Sequence, residues 1–459
     1  MRHSQGCLIS MIIKINNIIN QIVWGAPLLT LIFFTGIFYT VRLGFFQFKY
    51  VKEIFRDTLG CLFNKRKVSE ANISGNISSF QAAMTSVCAI VGSGNIVGVA
   101  TAIVIGGPGT IFWMWVAAFF GMATKFAEIV LGIIYRKNLP DGSITGGAMY
   151  YLAEGLHCKL CGRIFSVLVI PFAYVVSGIV DSNTITGIVY EKCGISTVVT
   201  GLILAAFVGS VIFGGITKIG RVCSIVAPFM GAFYLSAGLL ILLVHIQEVP
   251  MAFKLIFQNA FNLQSIFTGS AGTVFLCIKN GVARGVYSNE AGLGTAAMLH
   301  SGAQVRHPVQ QGVWGPVEVF FDTMIVCTVS GLTIILSGMW KNASNEGAAL
   351  TMNAFEQLLP GNWGGWIVFI AVILFGFTSL ISYYIYAERA IVFLSLKIKP
   401  RWTRFFWIIS ILIGSQSTLG FVWNLADTCN GLMIIPNLIG LLFLSNKVVN
   451  LKKEYFGED

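Results

Sequence analysis

About eleven segments of the chain, each some 20 residues long and nearly free of charge, limit what it can fold into. They are Ile22–Leu43, Phe80–Ile105, Thr110–Tyr135, Ile164–Tyr190, Ser196–Ile216, Val222–Leu243, Ile266–Val286, Val313–Ile335, Trp366–Leu394, Phe405–Val422 and Leu425–Leu444. A helix rises about 1.5 Å per residue, so each is long enough to cross a hydrocarbon layer of about 30 Å. In lipid, only helices and closed barrels satisfy their own backbone. Segments of this length predict an all-α integral membrane fold.

Composition agrees. Of 459 residues, 56% are hydrophobic and 11% charged, against about 25% charged in soluble domains. The net charge of +11 is spread between the apolar segments rather than gathered in one patch, which argues against a nucleic-acid partner. Alternating the segments puts about 22 Lys and Arg on one side, among them Arg42, Lys65, Arg136, Arg389 and Lys447. About five fall on the other: Arg2, Lys14, Lys192, Lys254 and Lys341. The rich side is expected to be cytoplasmic, with the N-terminus outside and the C-terminus inside a bacterial plasma membrane. The first apolar stretch is too long for a cleaved signal and is expected to be retained.

Residues 1–79 read as a leading span and a basic loop, 80–245 as one set of five spans, and 246–459 as a second set with a tail. The loop 338–365 holds a helical-looking piece, Glu346–Leu359. Cys158-Lys159-Leu160-Cys161 is the one metal-like or redox-like cysteine spacing. A lone C-x-x-C without a second Cys/His pair reads as chance. Trp363, Trp366, Trp402 and Trp407 read as interfacial anchors.

Two spans carry small residues where a helix should be strongest. The second contains Val91-Gly92-Ser93-Gly94-Asn95-Ile96-Val97-Gly98, and the seventh Thr268-Gly269-Ser270-Ala271-Gly272. Each helix-interior glycine costs about 1 kcal/mol. Either cluster alone fits close helix packing. Together they open two successive sets of five spans, the arrangement that marks the binding site of an inverted-repeat transporter. Unwound backbone there would offer N–H groups to a carboxylate and carbonyls to a cation. Gly92-Ser93-Gly94 also faintly suggests a nucleotide loop, but it lacks the flanking soluble strand and helix.

Several ordered motifs then resemble the alanine or glycine:cation symporter family. They include Trp24-Gly25-Ala26-Pro27, Gly92-Ser93-Gly94-Asn95-Ile96-Val97-Gly98, Gly106-Gly107-Pro108-Gly109, Met122-Ala123-Thr124-Lys125-Phe126-Ala127-Glu128, and Asp322-Thr323. The longest is Arg284-Gly285-Val286-Tyr287-Ser288-Asn289-Glu290-Ala291-Gly292-Leu293-Gly294. The resemblance covers nearly the whole chain. It implies a LeuT-like five-plus-five inverted repeat with discontinuous helices after one leading helix. It implies sodium as the coupling ion, with a proton possible, and a small amino acid as the substrate.

It also implies that Gly92, Ser93, Gly94 and Asn95 meet the substrate carboxylate. A cation is implied between carbonyls near Cys88 and Val91 and the hydroxyls of Thr378 and Ser379. Those hydroxyls could instead bond their own helix. Further substrate-lining positions are Asp181, Ser270, Gly272, Val274 and Tyr383. Asp181 stands where the family usually has Gln, Ser270 where it has Phe, and Tyr383 where it has Trp, so the substrate could be more polar than alanine, or a D-amino acid. An Asp at the bilayer centre costs about 2.5–3.5 kcal/mol on insertion scales. Asp181 is expected to pair with a substrate ammonium or a cationic side chain, to carry a coupling proton, or to lie near the outer interface.

Lys125 and Glu128, three residues apart, are expected to pair. Lys279, Arg284, Glu290, Glu318 and Asp322 are expected to form ion pairs between neighbouring elements, and Asp322 is a second candidate cation ligand. A channel would show a repeated filter or charged ring, an enzyme converging catalytic groups, and an ATP-driven pump G-x-x-x-x-G-K-[ST]; none is evident. A transporter whose partners are an amino acid and the bilayer fits best.

Overall fold

The computed structural model describes residues 2–60, 75–139, 142–261, 271–341, 347–395, 400–417 and 419–458. Within them the chain is almost wholly helical. Helices α1 (Arg2–Val23) and α2 (Ala26–Arg42) meet at Gly25 and together give an apolar span, Lys14–Arg42. Among the described residues, seven helices are long and apolar enough to cross a membrane, and one bent pair makes an eighth. That pair is α3 (Ser79–Ile90) and α4 (Val97–Gly106), joined by a short 3₁₀ turn at Ser93–Asn95 and bent by 53°.

Next come α5 (Thr110–Ile134), then α6 (Lys159–Ala173) running through a π-helical stretch, Tyr174–Asp181, into α7 (Ser182–Cys193). Helices α8 (Thr197–Ile212), α9 (Gly215–Val244) and α10 (Val249–Ala260) follow. Then come α11 (Ala271–Asn289) and the short α12 (Ala296–His300). A second π-helical stretch, Phe320–Cys327, joins α13 (Trp314–Val319) to α14 (Thr328–Ser337). The chain closes with α15 (Gly347–Leu358), α16 (Trp363–Phe393), α17 (Pro400–Gly414) and α18 (Leu419–Phe456). π-helical turns inside longer helices often mark functional sites. Of the three π-helical stretches among the described residues, two carry an aspartate, Asp181 or Asp322, and the third, Tyr151–Gly155, does not.

Burial sorts the spans. The richest window of α5 is 83% buried, that of the leading span 33%. Helix α5 is therefore central, and the leading span lies at the rim. Exposed Phe207, Phe229, Leu243 and Phe443 face outward, as lipid-facing side chains do.

Two strands of two residues each, β1 (Ile77–Ser78) and β4 (Ala303–Gln304), pair in parallel. They tie the start of α3 to the chain just after α12. Helix α3 begins with a capping box: Ser78 Oγ accepts from the Gln81 amide at 3.2 Å, and Gln81 Oε1 from the Ser78 amide at 3.1 Å. Two otherwise orphaned donors are satisfied there. On the same end, β2 (Lys137–Asn138) and β3 (Ile144–Thr145) form an antiparallel pair.

Several expectations change. The seventh span is not broken within Ala271–Gly272, where α11 already runs as helix; Thr268, Gly269 and Ser270 lie outside the described residues. An interruption lies at Glu290–Thr295, between α11 and α12. The expected tenth and eleventh spans begin earlier, at Pro400 and Leu419. Cys158 and Cys161 form a disulfide rather than a chance spacing. Trp407 is fully buried against Tyr174 and Tyr384 rather than anchored at an interface. The expected helical piece before the ninth span is present as α15.

Candidate functional site

The helical hydrogen-bond ladder of α3 stops at Val91, whose amide still bonds the Val87 carbonyl at 2.8 Å. The next amide, Gly92, would have closed a turn on the Cys88 carbonyl. It bonds Asn95 Oδ1 and the Ile90 carbonyl instead, each at 3.0 Å. Val91 itself has left helical dihedrals, at φ −82° and ψ 82°. The Cys88 carbonyl thus loses its helical partner in the middle of a buried span. Gly94 is tightly packed: an added Cβ would sit 3.0–3.1 Å from the Tyr287 ring, which would have to shift.

Two polar clusters flank the break. On one side Ser93 Oγ donates to Asp181 Oδ1 at 2.6 Å. Asp181 is only 2% exposed, so it does not lie at a wet interface. Ser177, on the same π-helical stretch, and Ser379, on α16, share a hydrogen bond at 3.3 Å beside it.

On the other side Asn95 Nδ2 donates to Asp322 Oδ1 at 2.6 Å and reaches Ser288 Oγ at 3.0 Å. Ser288 and Thr323 hydroxyls both donate to Asp322 Oδ2, at 2.7 and 2.8 Å. Cys327 closes this cluster at 3.2 Å from Ser288. Four separate elements converge within two residues of Gly94.

The residues carried over for a cation lie on facing helices. Cys88 Sγ contacts the Cys223 carbonyl at 3.9 Å, and Thr378 stands beside it. The Thr378 hydroxyl donates to the carbonyls of Leu374 and Phe375, both at 3.0 Å. That leaves its lone pairs free to accept or ligate. Ser379 lies against the break, 3.5 Å from where a Cβ on Gly92 would be.

Tyr383 points elsewhere: its hydroxyl bonds Glu290. Gly272 and Val274 lie on the far end of α11, about 21 Å along the helix from Ser288 at 1.5 Å per residue for Val274.

The interruption at Glu290–Thr295 lies within the motif Arg284–Gly294. Glu290 has φ +56°, in the sparsely populated left-handed region. Gly292 and Gly294 follow at +97° and +79°. Glu290 is held by Tyr383, by Tyr386 at 2.8 Å and by Thr295 at 2.6 Å. Strained conformations persist where surroundings over-determine them.

Buried side chains satisfy the freed backbone. Lys125 donates to the Asn289 carbonyl at 2.9 Å, and Glu128 accepts from the Gly294 amide at 3.0 Å. Asn437, on α18, donates to both Glu128 and the Gly292 carbonyl, at 2.7 and 2.8 Å. Lys125 and Glu128 therefore do not pair with each other as expected. Lys125 pairs with Glu318 at 3.1 Å, and His300 approaches the other Glu318 oxygen at 3.0 Å. The useful sequence signal was the likeness between Ser288-Asn289-Glu290-Ala291-Gly292-Leu293-Gly294 and Gly92-Ser93-Gly94-Asn95. Both mix glycine with Ser and Asn beside an apolar run.

A cavity of about 580 Å³ opens beside the first break and is lined by Val97, Thr101, Asn183, Thr184, Arg284 and Asp427, among others. Arg284 and Asp427 form a two-pronged ion pair across it, at 2.8 and 2.6 Å. Fork-to-fork geometry of this kind is both strong and directional. Arg284 stands one helical turn before Tyr287 and Ser288, and also packs over the Tyr287 and Trp423 rings. Asp427 was not singled out in the sequence.

Comparison with known proteins fits this geometry. The profile of the sodium:alanine symporter family matches residues 9–459. The chain is 41% identical over 453 residues to the sodium/alanine symporter AgcS of Methanococcus maripaludis, covering 96% of this chain and 97% of that one. It is 40% identical to an uncharacterized transporter of Haemophilus influenzae, over 95% of each chain. It is 34% identical to a probable sodium/glutamine symporter, GlnT, of Bacillus subtilis, over 95% of this chain and 89% of that one. Among solved structures, MhsT in complex with L-phenylalanine is similar with a TM-score of 0.58. It has 11% identity, and the match covers 83% of this chain and 99% of that one. At that identity the likeness establishes the LeuT-type fold alone.

Proposed function

The chain belongs to the sodium:alanine symporter family, and from that premise we propose that it brings a small, alanine- or glycine-like amino acid into the cell together with sodium, by alternating access. It is a multi-pass membrane transporter and not an enzyme. The observation that carries the reading is the break at Gly92–Asn95, set between the Asp181 and Asp322 clusters. Its N–H groups suit a carboxylate and its freed carbonyls a cation. In this reading the substrate carboxylate meets Gly92, Ser93, Gly94 and Asn95. One sodium sits among the Cys88 and Val91 carbonyls, Thr378 and Ser379. Asp322, Ser288 and Asn95 offer oxygen ligands for another.

The coupling follows physically. A cation that fixes unwound backbone preorganises the carboxylate site beside it, so substrate affinity rises with sodium. One charge moving through 100 mV yields about 2.3 kcal/mol. A tenfold gradient adds about 1.4 kcal/mol. Together they support roughly 500-fold accumulation of a neutral substrate.

The Arg284–Asp427 pair acts as the latch between the 580 Å³ cavity and the break. Glu290 with Tyr383 and Tyr386 closes the opposite side. Charge sorting favours an outside N-terminus and a cytoplasmic C-terminus. Residues 80–245 and 246–459 form the two halves of the repeat, after a leading part, 1–79. A second reading, proton coupling or a more polar or D-amino acid substrate, is favoured by the buried Asp181 alone.

Uptake of labelled alanine into proteoliposomes tests the proposal. An imposed sodium gradient is expected to drive accumulation that excess glycine competes away. Accumulation driven equally by a proton gradient without sodium would overturn sodium coupling.

A further inference from the structure

Resting on the sodium-coupled reading above, we propose that Asp181, Ser93, Ser177 and Ser379 form a further cation site, with Asp181 its one charged ligand, that takes a sodium ion carried with the substrate. Asp181 is buried, and among the described residues it makes no salt bridge. A buried carboxylate without a counter-charge is costly. Something positive must accompany it through the cycle.

The surroundings specify what kind. Ser93 comes from the break, Ser177 from the same π-helical stretch as Asp181, and Ser379 from α16. The groups that meet the carboxylate are the hydroxyls of these three serines and the Ser93 backbone amide. A hydroxyl can turn its hydrogen away and present a lone pair. Hard cations prefer such oxygen ligands.

Spacing fits as well. Oxygens about 2.4 Å from a central ion, on adjacent corners of an octahedron, lie about 3.4 Å apart. The Ser177 and Ser379 oxygens are 3.3 Å apart. The Ser93–Asp181 hydrogen bond, at 2.6 Å, opens when an ion enters between them. The Ala89 carbonyl lies on the same side, 3.7 Å from where a Gly92 Cβ would be.

Size and charge narrow the ligand. A Cβ on Gly376 would lie 2.7 Å from Ile185 and 3.8 Å from the Asp181 Cβ. Ser410 of α17 packs on Gly178, one turn away. At Gly376 and Gly178 the neighbouring helices pack too closely to admit a side chain. One carboxylate matches one monovalent charge. The titratable group facing Asp181 from α11 is Tyr287; α16 and α17 present Ser379 and Ser410. Ser379 is shared with the Cys88–Thr378 position, so occupancy of one site affects the other. An ion bridging Asp181 and Ser93 also fixes the residue that opens the carboxylate site.

The full chain in proteoliposomes, with sodium chloride against choline chloride, tests this. Sodium ions moved per substrate are counted from the gradient at which net flux reverses. Asp181→Asn is expected to transport with about one sodium fewer than the unaltered chain, since the variant loses one differential contact with the ion. Ser177→Ala is expected to keep the count but raise half-saturating sodium about tenfold, and it serves if Asp181→Asn does not fold. An unchanged sodium count in Asp181→Asn overturns the proposal. So does an altered pattern of competing amino acids at unchanged sodium dependence, which assigns Asp181 to the substrate. So does loss of pH dependence alone, which assigns it to a proton. If the unaltered chain shows no sodium dependence, the symport reading fails first and this site with it.

Discussion

Asn95 donates its side-chain amide to Asp322 at 2.6 Å, joining two residues 227 positions apart at the point where the second span loses its helix. The same nitrogen reaches Ser288, the penultimate residue of α11. One side chain therefore links the first break, the edge of the interruption at Glu290–Thr295 and a π-helical turn. A change in any of these three is felt by the others, which is what coupled binding of ion and substrate needs.

Replacing Asp322 tests that link. Hydrogen bonds to a charged group are worth about 1.5–3 kcal/mol. Asp322→Asn is expected to raise half-saturating sodium between about tenfold and a hundredfold, measured as sodium-dependent alanine uptake. Asp322→Ala is expected to abolish uptake while the protein still reaches the membrane.

Gly94 offers a steric test. An alanine there pushes its Cβ to about 3.0 Å from the Tyr287 ring. Overpacking typically costs about 1–3 kcal/mol. Gly94→Ala is expected to weaken substrate binding by about tenfold or more in a radioligand assay. Gly285→Ala, whose added carbon meets only ordinary 3.4–3.6 Å contacts, is expected to bind normally.

The latch makes a distinct prediction. Arg284 grips Asp427 with two parallel hydrogen bonds, and lysine cannot reproduce that fork. Arg284→Lys is expected to keep substrate binding and slow uptake at least several-fold. The exchange Arg284→Asp with Asp427→Arg is expected to recover part of the rate. Unaltered uptake in Arg284→Lys would remove the latch from the mechanism.

Lys125 and Glu318 are fully buried and paired at 3.1 Å. Breaking such a pair by removing one partner costs about 3–5 kcal/mol. Lys125→Met is expected to lower the midpoint of thermal unfolding in detergent clearly. Combining it with Glu318→Gln is expected to cost less than the two single changes together, because no uncompensated charge then stays buried.

Outside the spans, Glu458 fastens the C-terminal end to Lys49 at 2.6 Å and also to Tyr50 and Lys452. Its partial burial would raise the carboxyl pKa, but Lys452, Lys49 and Tyr50 outweigh that and bring it down to about 2. A pKa depressed by folding stabilises the folded form above the unfolded value of about 4.3, and the contribution fades as pH falls from there toward 2. Protease nicking of the C-terminal end is expected to change little from pH 8 to 5 and to rise in Glu458→Gln at neutral pH.

The break at Gly92–Asn95 was legible in the sequence, for local reasons. Gly92-Ser93-Gly94-Asn95 broke an apolar run, and a broken span in lipid must have its backbone satisfied by something. Asp181 drew notice because an acid in such a run is costly. The seventh-span cluster at 268–272 lies largely outside the described residues. The interruption at Glu290–Thr295 sits in a stretch polar enough to pass for a loop. Lys125 and Glu128 looked like a pair because they share a helix face. Each found a stronger partner across the bundle, in Glu318 and in the Gly294 amide.

The sequence by itself determined that this chain lives in a bilayer and must bend at Gly92–Asn95, since composition and helix-breaking residues act over one or two turns. It also carried enough ordered motifs to point to the family. Only the tertiary structure decided that Asn95 meets Asp322, that Arg284 meets Asp427, and that Ser177 and Ser379 stand beside Asp181. Those choices depend on which faces of distant helices touch. Helix faces are set by packing over the whole bundle, which no local pattern of residues encodes.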